Sequence, residues 1–405
     1  MLRLHSRSLD RTREIGVALH ITGGKVLGAE FAFADLTTQG SAIAAIDGSA
    51  PAVALRLDAT GLLVLPGIVD IHGDAFERHI MPRPGVSFDI DVALRDADRA
   101  MLACGITTAF HGVTWSWEPG LRGAGNARAL VAALERLRPR LGADTRFHLR
   151  HEIFNLEAEA EIFDWLGSGR IGVLAFNDHT PAIFKGAVRA GKIAKMAERT
   201  GLSDADFMAL ARQVFDRGDE VPASVARIAQ AARNAGVPML SHDDASPAMR
   251  RDYRALGVGV AEFPLTVETA REASAAGEAI VFGAPNVVRG GSHLGCPGAE
   301  EMVREGLCSI LASDYYYPSL PLAPFILAGN GSASLPDAWR LVSQAPAMAL
   351  GLADRGAIAP GMRADLVLVD EGPQPRVVAT IVGGRLAHLA DQRILAGASA
   401  AAQAA

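Results

Sequence analysis

Six side chains able to bind a metal, His72, Asp74, Glu152, His179, His242 and Asp314, lie at the ends of short apolar, β-forming runs. The runs close with "DIHGD", "RHE", "FNDH", "LSHDD" and "ASD". Any one of these residues by itself suits a hydrogen-bonded structural role. Six nitrogen and oxygen ligands gathered on one rim are a different matter, because uncompensated buried charge needs a cation to neutralise it. Imidazole with carboxylate, and no thiolate in the pattern, suits Zn²⁺, with Mn²⁺ and Fe²⁺ as alternatives, in one or two ions. Such a metal lowers the pKa of a coordinated water to about 7, which makes a nucleophile available at neutral pH. Two metals need a shared anionic ligand, and Glu152 is the natural bridge. Asp314, the last of the series, is placed to orient the water and accept its proton. Strand alternation puts Asp70, His72 and Asp74 on one face, pointing into whatever the strand encloses.

A second set of residues suits an anionic, phosphorylated small molecule. "VVRGGSH" supplies Arg289, two glycines whose N–H groups can approach an anion closely, Ser292 and His293. A plain tight loop is the competing reading. "FERHIMPRPG" adds Arg78, His79 and Arg83 directly after the first ligand-bearing run, against the alternative of surface ion pairs. Further on, Lys185, Arg189, Lys192 and Lys195 recur every three or four residues, which makes one basic face if the segment is helical. A solvated face has the same pattern, and of the four Lys185 is the expected substrate contact. Trp115 and Trp117 in "HGVTWSWEPG" either wall the pocket or pack beneath the neighbouring loop.

The elements that must carry these residues alternate strand-like and helix-like runs. From "GLLVLPGIVDIHGD" to "LCSILASDYY" there are eight strand-like runs separated by helical ones, the pattern of an α/β (β/α)8 barrel rather than an open sheet. In that architecture catalytic groups sit at the C-terminal ends of the strands, where the six ligands fall. Short Gly-punctuated β runs at both ends of the chain predict a small β-sandwich built from the two ends. The expected division is 1–66 and 357–395 for the sandwich, 67–356 for the barrel and 396–405 for a low-complexity tail.

Composition excludes other classes. The chain has 405 residues, 49% hydrophobic and 21% charged, with a formal net charge of −6. That balance argues against partners recruited by bulk positive charge, so neither nucleic acid nor a membrane surface is expected. No run reaches the roughly 18 apolar residues of a membrane span. The three cysteines, Cys104, Cys296 and Cys308, show no paired spacing and fit core thiols in a reducing cytoplasm. Nothing in the sequence fixes the oligomeric state, and a homo-oligomer remains open.

The order of "DxHxD", a strand-end Glu, two separate His and a last-strand Asp resembles the amidohydrolase superfamily. The resemblance implies a barrel joined to a composite β-sandwich and hydrolysis by metal-activated water. Most of that superfamily has a second His where this chain has Asp74, and many members carry a carboxylated lysine where Glu152 is placed. The longer strings "FHLRHE", "NDHTP", "SHDDAS", "AEFPLT", "GAPNVVRGGSHLG", "SDYYYPSL" and "DRGAIAPGMRADLVL" resemble the α-D-ribose 1-methylphosphonate 5-triphosphate diphosphatases of phosphonate catabolism, from about Leu62 to Val369. That resemblance implies release of pyrophosphate from a ribose triphosphate. The segment after "DHTP", "AIFKGAVRAGKIAKMAERTG", departs from the diphosphatase pattern and puts substrate identity in doubt more than family. Hydrolysis of a C–N bond in an amide, cyclic imide or amine is the alternative, and a non-catalytic assembly subunit is a third reading.

Overall fold

Val, Ile, Leu and Phe concentrate in runs bounded by Gly, Pro and Asp, and these runs form the strands. The computed structural model describes residues 18–49, 51–83, 85–184, 193, 196–198, 200–292 and 295–395. The N-terminal part contributes β1 (Ala18–Leu27), β2 (Phe31–Gln39), β3 (Ala42–Ile46), β4 (Ala54–Asp58) and β5 (Leu63–Pro66). There follow β6 (Ile68–Gly73), β7 (Ile106–Trp115), β8 (Asp144–Glu152), β9 (Val173–Asn177), β10 (Met239–His242), β11 (Val260–Glu262), β12 (Ala279–Gly283) and β13 (Ile310–Ala312). The chain ends with β14 (Leu366–Asp370), β15 (Arg376–Val382) and β16 (Arg385–Leu389).

Strands β6 to β13 pair in sequence order, every pair parallel, as the expected eight-stranded barrel requires. The seam between β13 and β6 is closed by the parallel bridge between Gly73 and Asp314. There the Asp314 N–H donates to the His72 carbonyl, and the Asp74 N–H donates to that of Asp314, both at 2.9 Å. Gly73 permits this approach, since a Cβ would stand 2.7 Å from Asp70 Oδ2 and 2.9 Å from Ser313 Oγ. Val69, Ile71, Phe110, Val173, Ala175, Leu240, Val260, Val281 and Ile310 fill the barrel, so it is a packed core and not a pore.

The two chain ends meet in one eight-stranded sheet, in the order β16-β15-β14-β5-β1-β2-β3 with β4 also beside β1. The joint between the halves is the antiparallel pair β14 and β5, and β5 runs into β6 through Gly67 alone. This sheet has its own apolar cluster, including Leu19, Ile21, Leu36, Leu57, Leu366 and Ile381. Cys104 and Cys308 are buried thiols, as expected of core residues, whereas Cys296 is only half-buried and lines a cavity described below. No helix among the described residues is long and apolar enough to cross a membrane. Residues 396–405, Lys185, Arg189, Lys192, Lys195 and His293 lie outside the described residues.

Candidate metal centre and substrate cavity

The first strand does not keep simple alternation. Its register against β7 shifts between Asp70 and Gly73, an irregularity that redirects side chains at a strand end. Asp70, at that irregularity, is fully buried against Ser313. Its carboxylate accepts from the Ser313 N–H at 3.0 Å and from Ser313 Oγ at 2.6 Å, locking the barrel seam.

His72 instead turns toward Glu262 at the end of β11. One carboxylate oxygen of Glu262 lies 2.7 Å from His72 Nδ1, and the other lies 2.7 Å from His242 Nδ1. A carboxylate can only accept, so both rings carry their proton on Nδ1 and leave Nε2 as the free lone pair. The two imidazoles stack with centroids 5.4 Å apart. Glu262 is fully buried, and although burial disfavours its charge, the His72 and His242 rings hold its pKa well below the ordinary value. Sequence reasoning quoted "AEFPLT" as a family string yet missed this residue. The clue was a lone Glu closing a β-run, in register with the other strand ends.

Besides His72, His242 and Glu262, two further triads of possible ligands lie at the strand ends. His72, Asp74 and Asp314 can bring one ligand atom each within 4.8 Å of the others, and so can His179, His242 and Asp243. Asp243 was not anticipated, although it follows His242 directly. Three residues just past their strands, Asp243, Phe263 and Asp314, have φ of 61°, 54° and 54°. Left-handed backbone at a non-glycine residue costs on the order of 1–3 kcal/mol and tends to gather at functional sites.

Charge crowding tests whether the donors fit a cation. Burial first, and the Asp74 carboxylate second, push the Asp314 carboxyl up to about 6. Burial would lower the pKa of His179, but its hydrogen bonds to Asp243 and Glu152 outweigh that and push it up to about 9. Excess anion at one triad and a retained proton at the other mark a place suited to divalent metal. Between the triads lies Arg150, buried, with Nη1 3.3 Å from Asp74 Oδ2 and Nη2 3.0 Å from His242 Nε2.

Glu152 belongs to neither triad but packs directly against His179. Its two oxygens share the backbone N–H of His179 at 3.2 and 3.3 Å, and one of them accepts from the Thr180 N–H at 3.3 Å and from Thr180 Oγ1 at 2.8 Å. His179 Nδ1 is 3.3 Å from it. In this arrangement Glu152 orients His179. Trp117 reinforces this arrangement, donating from Nε1 to Thr180 Oγ1 at 2.9 Å, while Trp115 is buried against Trp165. Neither tryptophan lines the main cavity.

That cavity, about 260 Å³, has His242 and Asp243 of one triad and Asp314 of the other in its wall, together with Arg150, Phe263, Leu265, Phe282, Ser292, Cys296 and Tyr315, among others. Tyr315 connects it to two of the expected basic residues. Arg289 Nη1 donates to the Tyr315 hydroxyl at 3.2 Å, and the Arg78 guanidinium lies 5.6 Å above the Tyr315 ring. Ser292 lines the cavity, and Arg78 and Arg289 reach it only through Tyr315. His79 is half-buried and Arg83 exposed, and neither lines the cavity.

Residues 63–387 match the amidohydrolase family, and the chain belongs to it, as a metal-dependent hydrolase on an eight-stranded barrel. Over 359 residues, 85% of this chain and 92% of the relative, it is 34% identical to an α-D-ribose 1-methylphosphonate 5-triphosphate diphosphatase from Escherichia coli (strain K12). A stretch of 51 residues, 13% of this chain and 9% of the relative, is 53% identical to an adenine deaminase of Methylobacterium sp. (strain 4-46). Among solved structures, N-isopropylammelide isopropylaminohydrolase from Burkholderia multivorans ATCC 17616 superposes with a TM-score of 0.63 at 21% identity, covering 92% of this chain and all of that one, which bears on the fold alone.

Proposed function

We propose that the chain hydrolyses α-D-ribose 1-methylphosphonate 5-triphosphate, releasing pyrophosphate and leaving the 5-monophosphate. The similarity to the diphosphatase along nearly the whole of both chains carries this reading. The paired arginines around Tyr315 agree with it, since guanidinium groups bind phosphate oxygens through charge-assisted hydrogen bonds that a neutral amide cannot match.

The side chains of His72, Asp74 and Asp314 would hold a divalent metal, which supplies Lewis-acid polarisation and an activated water. The chain's own groups do the rest. Arg289 and Arg78 hold the outer phosphates at the mouth, and Ser292 faces the same space. Arg150 directs its guanidinium at the charge that spreads over the phosphoryl oxygens as the bond to the leaving oxygen lengthens. Asp314 accepts the proton of the attacking water. One O–P bond forms, the anhydride bond between the α and β phosphorus breaks, and the pyrophosphate oxygen takes the electron pair. Phe263, Leu265 and Phe282 exclude bulk water from one side.

Hydrolysis of a C–N bond is the second reading. It draws on the adenine deaminase stretch and on the apolar share of the cavity wall. The two are separated by assaying pyrophosphate release from ribose and nucleoside triphosphates alongside ammonia release from adenine and hydrolysis of cyclic imides. Turnover confined to the nitrogen compounds refutes the diphosphatase reading.

A further inference from the structure

We infer that this enzyme binds a single divalent metal, at His72, Asp74 and Asp314, and that Arg150 stands as a fixed cation where a second metal would otherwise sit. The inference rests on the metal-hydrolase reading of this site and specifies its stoichiometry, which neither the family nor the fold decides.

A carboxylate offers several lone pairs and an imidazole nitrogen only one. Arg150 spans the two triads, donating to Asp74 Oδ2 at 3.3 Å and to His242 Nε2 at 3.0 Å. A guanidinium has no acceptor, so His242 Nε2 must accept, and that contact uses its one lone pair. Asp74 keeps its remaining lone pairs. His242 cannot turn its other nitrogen to a metal, because Nδ1 is held by Glu262 at 2.7 Å. Nor is His179 free: Nε2 lies 3.3 Å from Asp243 Oδ2 and Nδ1 lies 3.3 Å from Glu152 Oε2. Both imidazoles of the second triad are therefore engaged at both nitrogens.

The first triad is differently placed. His72 has Nδ1 on Glu262 and Nε2 as its ligating atom, beside two carboxylates. Charge points the same way. A second divalent ion would stand next to a buried guanidinium without the anionic bridge that relieves repulsion between two metals, because Glu152 is engaged at His179 and Thr180. Arg150 thus supplies near the second triad the positive charge that a two-metal enzyme takes from its second ion.

The test is metal stoichiometry in the whole enzyme. Protein loaded with excess Mn²⁺ and passed through a desalting column should carry one equivalent by elemental analysis. Its electron paramagnetic resonance spectrum should be that of an isolated ion. Two equivalents with an exchange-coupled spectrum would overturn the proposal. Arg150→Met, which removes the cation at similar length, should raise saturation from one toward two equivalents; a value still at one would overturn the role of Arg150. Independently of how that variant folds, His72→Ala should lose the metal and His179→Ala should keep it, and the reverse pattern overturns the assignment. An enzyme with one metal that releases no pyrophosphate refutes the substrate reading alone. An active diphosphatase with two coupled metals refutes only this inference.

Discussion

Glu262→Gln perturbs the metal centre without removing a ligand. The carboxylate receives Nδ1–H from His72 and from His242, each at 2.7 Å, and so sets the tautomer of two rings at once. A carboxamide has one accepting oxygen and one donating nitrogen, so it can satisfy only one of them. If its NH₂ faces His72, that ring must move its proton to Nε2 and ceases to be a ligand. If its NH₂ faces His242, Nε2 there becomes a donor and opposes the Arg150 donor 3.0 Å away. Either arrangement forfeits one charge-assisted hydrogen bond, about 1.5–3 kcal/mol. That corresponds to roughly a 10–100-fold weaker metal affinity, the range for loss of a group that orients a metal ligand. Competition of Glu262→Gln and wild type against a fluorescent zinc chelator measures it, with circular dichroism confirming the fold. Unchanged metal affinity in a folded Glu262→Gln protein would refute the view that Glu262 sets the ligating tautomers.

Arg289→Ala should lower kcat/KM for a triphosphate substrate by about 10-fold or more, mainly through KM and at unchanged metal content, because it removes a charge-assisted contact at the mouth; steady-state kinetics on metal-normalised protein checks this. Arg250 is fully buried, donating from Nη1 to Ser241 Oγ at 2.6 Å and pairing with Asp244 at 3.2 Å, so Arg250→Leu should destabilise the fold by about 3–5 kcal/mol in urea titrations. Asp144 is partly buried, which raises its pKa, but Arg146 and Arg355 outweigh this and hold it at about 2. Its folded pKa lies below the unfolded one, so its contribution of about 2 kcal/mol is present above pH ~4 and is lost as pH falls toward 2. Asp144→Asn should lose that contribution at pH 7 and show a flatter loss of stability over the acid range.

Periodicity and strand-end chemistry made the barrel legible, because eight apolar runs alternating with helical ones admit few other architectures and each ligand type closed a run. The pairing of β14 with β5 followed from the matching β character of the two chain ends. Two features were not legible. The register shift after Asp70 depends on how β6 meets β7, so a strand pattern that looks strictly alternating sends Asp70 to Ser313 and His72 to Glu262. Glu152 reads as a ligand by its position, but its partners, the His179 and Thr180 donors in the turn after β9, are set by how β8 meets β9. The sequence by itself determined the donor types and their placement at strand ends, since both follow from composition and local periodicity. Only the tertiary structure decided which donors face each other, that Glu262 joins two histidines 190 and 20 residues distant, and that a guanidinium lies between the triads. Those contacts are made between strands far apart in the chain, where barrel register and closure, not local sequence, set the distances.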